Sequence, residues 1–138
     1  SSLFEEEKGF SEAFKGYRWE DLELGYRLSK KSIPLYYLKT AVNYHYHVIT
    51  KEEEVSRCYN KGKSAQTFLQ KHPELKWFLG LNPLSKFIFK HTTPSGSLYK
   101  WMEKNCYKSN KKMFNELGFW FLKEYKYLSG ILDKNGTK

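Results

Sequence analysis

The densest run of reactive side chains, GYRWEDLELGYRL, spans residues 16–28. Two carboxylates, Glu20 and Asp21, open a predicted helix here, and neighbouring helical residues point about 100° apart. One carboxylate could therefore bind a hydroxyl while the other takes its proton. The positive end of the helix dipole favours the anion and keeps it available as a base. Tyr17 and Trp19 could supply a flat apolar platform for a sugar ring. Acidic residues in a first turn are also typical of ordinary helix capping.

A second constellation is the His45-Tyr46-His47 run. It lies in the second of two segments, IPLYYLK (33–39) and AVNYHYHVI (41–49), that are rich in β-branched and aromatic residues and predict two short strands. Residues i and i+2 of a strand share a face, so both imidazoles would point the same way. Imidazole is a common ligand of divalent transition metals. The alternative is a pair of half-buried histidines on a sheet face.

Order and spacing connect the two constellations. The chain reads GFSEAFKGYRWEDLELGYRL, then KKSIPLYYLKTAVNYHYH, then TKEEE. The stretch from Phe10 to His47 resembles the C-terminal part of the catalytic domain of family 2 glycosyltransferases, which are inverting enzymes of the GT-A fold. Those enzymes carry a pattern like G-F-[DS]-E-x-F-x-G-Y-x-W-E-D-x-[ED]-L-G-Y-R-L. The resemblance extends over roughly residues 1–71, about half of the chain.

The resemblance implies a role for each residue of the W-E-D motif. Asp21 would be the general base that deprotonates the acceptor hydroxyl as its oxygen attacks the anomeric carbon. Glu20 would hold the acceptor sugar by hydrogen bonds. Trp19 and Tyr17 would line the acceptor pocket. The substrates implied are a nucleotide-sugar donor and a glycan or lipid-linked acceptor, as in polysaccharide biosynthesis.

The resemblance also implies a divalent metal, Mn or Mg, in the full-length enzyme. His45 would be its first-choice additional ligand and His47 the second choice. A metal ion can neutralise the charge that develops on a leaving diphosphate. The family's D-x-D metal motif is absent, because Asp21 and Asp133 are the only aspartates in the chain. The donor-binding half is therefore expected to be missing, and this chain alone is predicted to be inactive and to hold no metal. Its Ser-Ser start is expected to lie inside a longer product.

Charge divides the chain into two predicted regions. Residues 1–50 hold seven basic and seven acidic side chains, so the whole net charge of +9 belongs to residues 51–138. The first region is predicted to be the C-terminal segment of the catalytic domain and the second a basic, aromatic-rich helical region. Long apolar faces with lysines at their edges suit a helix that lies on an anionic membrane surface. The alternative is a helical subdomain whose rings pack on one another.

The remaining expectations concern fold and partners. Helices are predicted over 3–8 and 19–31, from Thr50 to about Lys71, and in shorter pieces beyond, with a break near residues 109–110. The predicted fold class is mainly α with a short two-stranded β element (α+β). If the protein is not an enzyme, it would be a helical module that binds an anionic membrane surface or a polyanion. Nucleic acid is an unlikely partner, because no recognition motif accompanies the basic residues.

Two cysteines that form no C-x-x-C pair suit a reducing compartment. They are Cys58 and Cys106. The expected location is the cytoplasm, with peripheral attachment at the inner face of the membrane as the alternative. No stretch approaches the roughly 18 apolar residues of a membrane-spanning helix.

Overall fold

A computed structural model describes residues 2–14, 19–34 and 36–133, with only the backbone at residues 2 and 3. Within these ranges the regular structure is helical throughout, and a short 3-10 turn covers Pro73–Lys76. The α-helices are α1 (Ser2–Glu6), α2 (Glu20–Lys30), α3 (Lys51–Lys71), α4 (Pro83–His91), α5 (Ser97–Lys108) and α6 (Lys112–Leu132). The predicted α+β class, with its two-stranded element on a GT-A fragment, is therefore wrong.

The two predicted strands are extended chain without a pairing partner. In the described parts of 33–39 and 41–49, the backbone hydrogen bonds outside helices join residues that are close in sequence. For example, Ala41 N donates to Leu38 O at 3.1 Å. Their aromatic side chains face solvent, and Tyr44 and Tyr46 are each 93% exposed. A strand needs a neighbour to satisfy its backbone groups and cover its apolar face. These segments have β-type composition but lack that neighbour.

The helix termini follow from local side chains. Thr50 and Glu53 form a capping box at the predicted start of α3: the Thr50 hydroxyl accepts from Glu53 N at 3.2 Å, and Glu53 Oε2 accepts from Thr50 N at 3.0 Å. Asn82 caps α4 by accepting from Ser85 N at 2.8 Å. Helix α5 ends at Lys108 and α6 begins at Lys112, which confirms the predicted break.

Helix α6 lies at the centre of the packing and crosses both α3 and α5. Glycines permit the closest approaches. A Cβ on Gly62 would meet the Tyr127 carbonyl oxygen, and a Cβ on Gly130 would meet the Tyr59 carbonyl oxygen. At the other crossing, a Cβ on Gly118 would lie 2.5 Å from the Met102 carbonyl oxygen. The three glycines therefore set the separation between the helices.

Helices α3 and α6 each contribute side chains to two apolar clusters. The first comprises Trp19, Ala65, Phe68, Leu79, Leu81, Leu128 and Ile131. The second comprises Val55, Tyr99, Cys106, Phe121 and Leu122. Trp19 precedes the predicted region boundary at residue 50, yet it packs among side chains from beyond it. The start of α2 is thereby held against α3 and α6.

Candidate active site

The two candidate carboxylates begin helix α2. Glu20 is its first residue and Asp21 its second. Asp21 is exposed, and its Oδ1 accepts a hydrogen bond from Leu22 N at 2.8 Å. No hydrogen bond from the described residues reaches its Oδ2.

Glu20 differs from Asp21 in its surroundings. Its Oε2 is buried and has no hydrogen-bond partner in the part of the chain that the structure describes. A buried acceptor without a donor is unfavourable, and most such groups in proteins are paired. A hydroxyl from a ligand would satisfy this oxygen. The adjacent carboxylates thus have different environments: Asp21 is exposed, whereas Glu20 is half-buried with one oxygen covered.

Trp19 holds the turn that leads into these carboxylates. Its φ of +85° lies in the left-handed region, where a non-glycine residue is strained and needs support from its surroundings. The indole supplies that support. It is only 7% exposed, its Nε1 donates to the Lys61 carbonyl oxygen at 3.0 Å, and its ring centroid lies 5.8 Å from that of Phe68. Tyr17, the other expected platform residue, lies outside the described residues.

A cleft of about 330 Å³ opens beside the Trp19 ring. It combines aromatic and charged side chains, among them Trp19, Glu54, Lys61, Phe78, Lys123 and Tyr127. The Lys61 ammonium lies 5.1 Å from the Trp19 ring centroid and 5.8 Å from that of Tyr127. Neither Glu20 nor Asp21 lines this cleft, and Trp19 belongs to the first apolar cluster, so the cleft and the carboxylate pair are separate features. The sequence did not predict this cleft, because its walls come from α3, α6 and the turn after Lys76.

A buried ion network also holds α2 in place. Glu23 is 1% exposed and accepts hydrogen bonds from Arg27 Nε at 3.0 and 3.1 Å. His72 Nε2 lies 3.0 Å and Lys71 Nζ 3.6 Å from Glu23 Oε1. Burial alone would raise the pKa of Glu23, but the hydrogen bonds from His72 and Arg27 outweigh it, and the pKa lies below its ordinary value.

Arg27 extends the network to the residues around α1. Its guanidinium donates to the carbonyl oxygens of Glu7 at 2.5 Å and Gly9 at 2.6 Å. The Glu7 carboxylate also pairs with Arg27 and with Lys31. One guanidinium therefore ties the segment before the motif to α2. Only the i, i+4 spacing of Glu23 and Arg27 signals this network in the sequence.

The two candidate metal ligands lie on the extended segment that precedes α3. His45 and His47 are exposed on the extended segment, with ring centroids 6.5 Å apart. The Arg57 guanidinium lies 3.1 Å from His47 Nε2. No described hydrogen bond or ion pair joins either imidazole to Glu20 or Asp21.

The implied metal does not fit the histidines as they stand. A guanidinium beside one imidazole opposes a cation there, and the described ranges contain no group of three His, Cys, Asp or Glu side chains that could hold a metal ion. The third ligand that such a site needs is not among them.

Comparisons of the chain with protein-family models, with characterised proteins and with solved structures find no match. The arrangement at the start of α2 therefore has to be interpreted from its own chemistry. Among the described helices, none has the length and apolar character required to cross a bilayer.

Proposed function

We propose that this chain is the acceptor-binding part of an inverting glycosyltransferase. The observation that carries the proposal is the pair of adjacent carboxylates at the start of α2. Asp21 is solvated and open, whereas Glu20 has a buried oxygen without a donor. They lie within the motif that resembles family 2 glycosyltransferases, and hydrogen bonds from Trp19 and Arg27 to distant carbonyl oxygens hold the helix that presents them.

In this scheme Glu20 and Asp21 act on different hydroxyls of one acceptor. Glu20 Oε2 accepts a hydrogen bond from a sugar hydroxyl and fixes the orientation of the ring. Asp21 takes the proton of the reacting hydroxyl as its oxygen bonds to the anomeric carbon. The bond from that carbon to the nucleotide diphosphate breaks on the opposite face, which inverts the configuration. A carboxylate can act in this way when it lies within hydrogen-bond reach of the hydroxyl.

The donor would bind to residues beyond this chain. With no D-x-D motif in its sequence, the chain is expected to catalyse no transfer alone. The divalent metal remains part of the proposal only for the complete enzyme, where it would supply charge neutralisation at the diphosphate. Both cysteines are free and buried, which supports a reducing compartment such as the cytoplasm.

Acceptor binding can be tested with this chain itself. We expect binding to members of an array of immobilised glycans, and Glu20→Gln should weaken that binding about tenfold or more, because the charged acceptor is lost. Asp21→Asn should bind nearly as well as the unmodified chain, since its proton transfer belongs to the reaction. Glu52→Gln is the matched control, since Glu52 is an exposed carboxylate in the first turn of α3.

Two outcomes would contradict the proposal: no glycan bound at all, or binding that Glu20→Gln and Glu52→Gln leave equally strong. Measurable transfer by this chain with Mn and nucleotide sugars would contradict the expected inactivity. In any form of the protein that includes a donor site, Asp21→Asn should lower kcat about 10²- to 10⁴-fold.

A further inference from the structure

Helix α4 presents an apolar face that no described element covers. Leu84, Phe87, Ile88 and His91 repeat at helical spacing, and all four are exposed. The three apolar residues expose between 44% and 66% of their surface. The opposite side of the helix packs on α6 through Phe89, whose ring centroid lies 5.0 Å from that of Tyr125. The outward face is therefore not required by the packing of the helix.

Helix α6 continues this apolar surface. Met113, Leu117 and Trp120 lie on one face at spacings of four and three, and they are 70%, 42% and 61% exposed. A narrow apolar groove of about 140 Å³ between α4 and α6 is lined by Ile88 and Trp120. The two helices thus join in one patch, which we call the α4–α6 patch: Leu84, Phe87, Ile88, Met113, Leu117 and Trp120. Exposed apolar surfaces of this kind mark interaction sites.

Basic residues border the α4–α6 patch. Lys86 and Lys90 are exposed residues of α4, and Lys111 and Lys112 directly precede Met113. Residues 76–91 contain no Asp or Glu. Glu116 and Glu124 lie one turn before and one turn after Trp120 on the same face of α6. Four lysines against two glutamates leave the surroundings of the patch with a positive net charge.

We propose that the α4–α6 patch is a docking surface for an anionic lipid bilayer. Its side chains would enter the boundary between headgroups and acyl chains, while the bordering lysines reach the lipid phosphates. A second copy of this chain is a poorer occupant, because it would bring another basic border against the first. Single-stranded nucleic acid is also poorer, because the cations lie at the edge and aliphatic side chains make up much of the centre.

Vesicle sedimentation tests the proposal with the whole chain. We expect binding to phosphatidylcholine vesicles that contain about 30% phosphatidylglycerol, and little binding to phosphatidylcholine alone, at about 0.15 M salt. Phe87→Ser with Trp120→Ser should weaken binding about tenfold or more, because both side chains are apolar anchors. Lys86→Gln with Lys90→Gln should weaken it by a similar factor, since each lysine near an anionic surface contributes about fivefold.

Each double variant has a matched control. Tyr44→Ser with Tyr46→Ser removes two aromatic side chains that are still more exposed, and Lys104→Gln with Lys108→Gln removes two exposed lysines at the same spacing on α5. Circular dichroism of all variants confirms that they fold. Failure of the unmodified chain to bind anionic vesicles would overturn the proposal, as would equal losses in the controls. Self-association that Phe87→Ser with Trp120→Ser abolishes, without a change in vesicle binding, would assign the patch to a second copy instead.

Discussion

Glu23 is a buried carboxylate whose charge the fold has to stabilise. Arg27 and His72 hydrogen-bond to it, and Lys71 lies 3.6 Å away. Because these contacts lower its pKa below the ordinary value, the ionised form is favoured in the folded state. Its stabilising contribution is therefore present above the ordinary pKa of a glutamate and is lost as the pH falls through the lowered value.

We predict that Glu23→Gln lowers the free energy of unfolding at pH 7 by about 3 kcal/mol, because it removes the buried negative charge that pairs with both Arg27 and Lys71. As the pH falls below the ordinary pKa of a glutamate, the unmodified chain should lose stability more steeply than the variant, since only the unmodified chain must protonate this carboxylate. Urea unfolding at a series of pH values measures both effects. Parallel pH profiles for the two proteins would contradict the prediction.

Glu74 provides an exposed carboxylate with which the buried Glu23 can be compared. It is an exposed carboxylate that accepts from Lys30 Nζ at 2.7 Å and from the Tyr26 hydroxyl at 2.8 Å. The Lys30 hydrogen bond, with a backbone bond and the Tyr26 bond, lowers the pKa of Glu74 to about 2. Glu74→Gln should cost less stability at pH 7 than Glu23→Gln, because solvent screens an exposed pair.

At the scale of helices, the features that depend on neighbours in sequence were predictable. The Thr50–Glu53 capping box, the Asn82 cap and the buried face of α3 all follow from side chains within one or two turns. Features that join segments distant in sequence were not predictable. The predicted strands lacked a partner, and the insertion of Trp19 beside Phe68 depends on tertiary packing. At the candidate site, the sequence identified the Glu20–Asp21 pair, but neither the buried oxygen of Glu20 nor the cleft beside Trp19 could be predicted from it.

Two helical glycines differ sharply in their surroundings. A Cβ at Gly62 would meet the Tyr127 carbonyl oxygen and lie 2.8 Å from Ile131 N, whereas a Cβ at Gly25 would have nothing within 4 Å. We predict that Gly62→Ala destabilises the fold by about 1–3 kcal/mol, because the crossing of α3 and α6 must open. Gly25→Ala should stabilise it by up to about 1 kcal/mol, because alanine favours the helix. Thermal unfolding of both variants measures these changes in stability. A stabilising effect of Gly62→Ala would contradict the close crossing of α3 and α6 at this glycine.

At the scale of the whole molecule, α3 and α6 connect the two apolar clusters. Helix α3 contributes Val55 to one cluster and Phe68 to the other, and α6 contributes Leu122 and Leu128 in the same way. Loss of α3 or of α6 would therefore disrupt both clusters. The described helices should therefore unfold together, and damage in one cluster should be felt in both.

Two buried thiols can report on this coupling. Cys58 lies by the cleft beside Trp19, and Cys106 belongs to the second cluster. Burial raises the pKa of both thiols, so they react slowly in the folded state.

We predict that Trp19→Ala, which removes a large side chain from the first cluster, lowers stability by about 3–5 kcal/mol and accelerates labelling of Cys58 and Cys106 by the same factor. Lys39→Ala, on the exposed extended segment, should change neither rate. Mass spectrometry of the two labelled peptides gives both rates. If only Cys58 becomes more reactive, the clusters unfold separately, and the region around Trp19 opens independently of the rest.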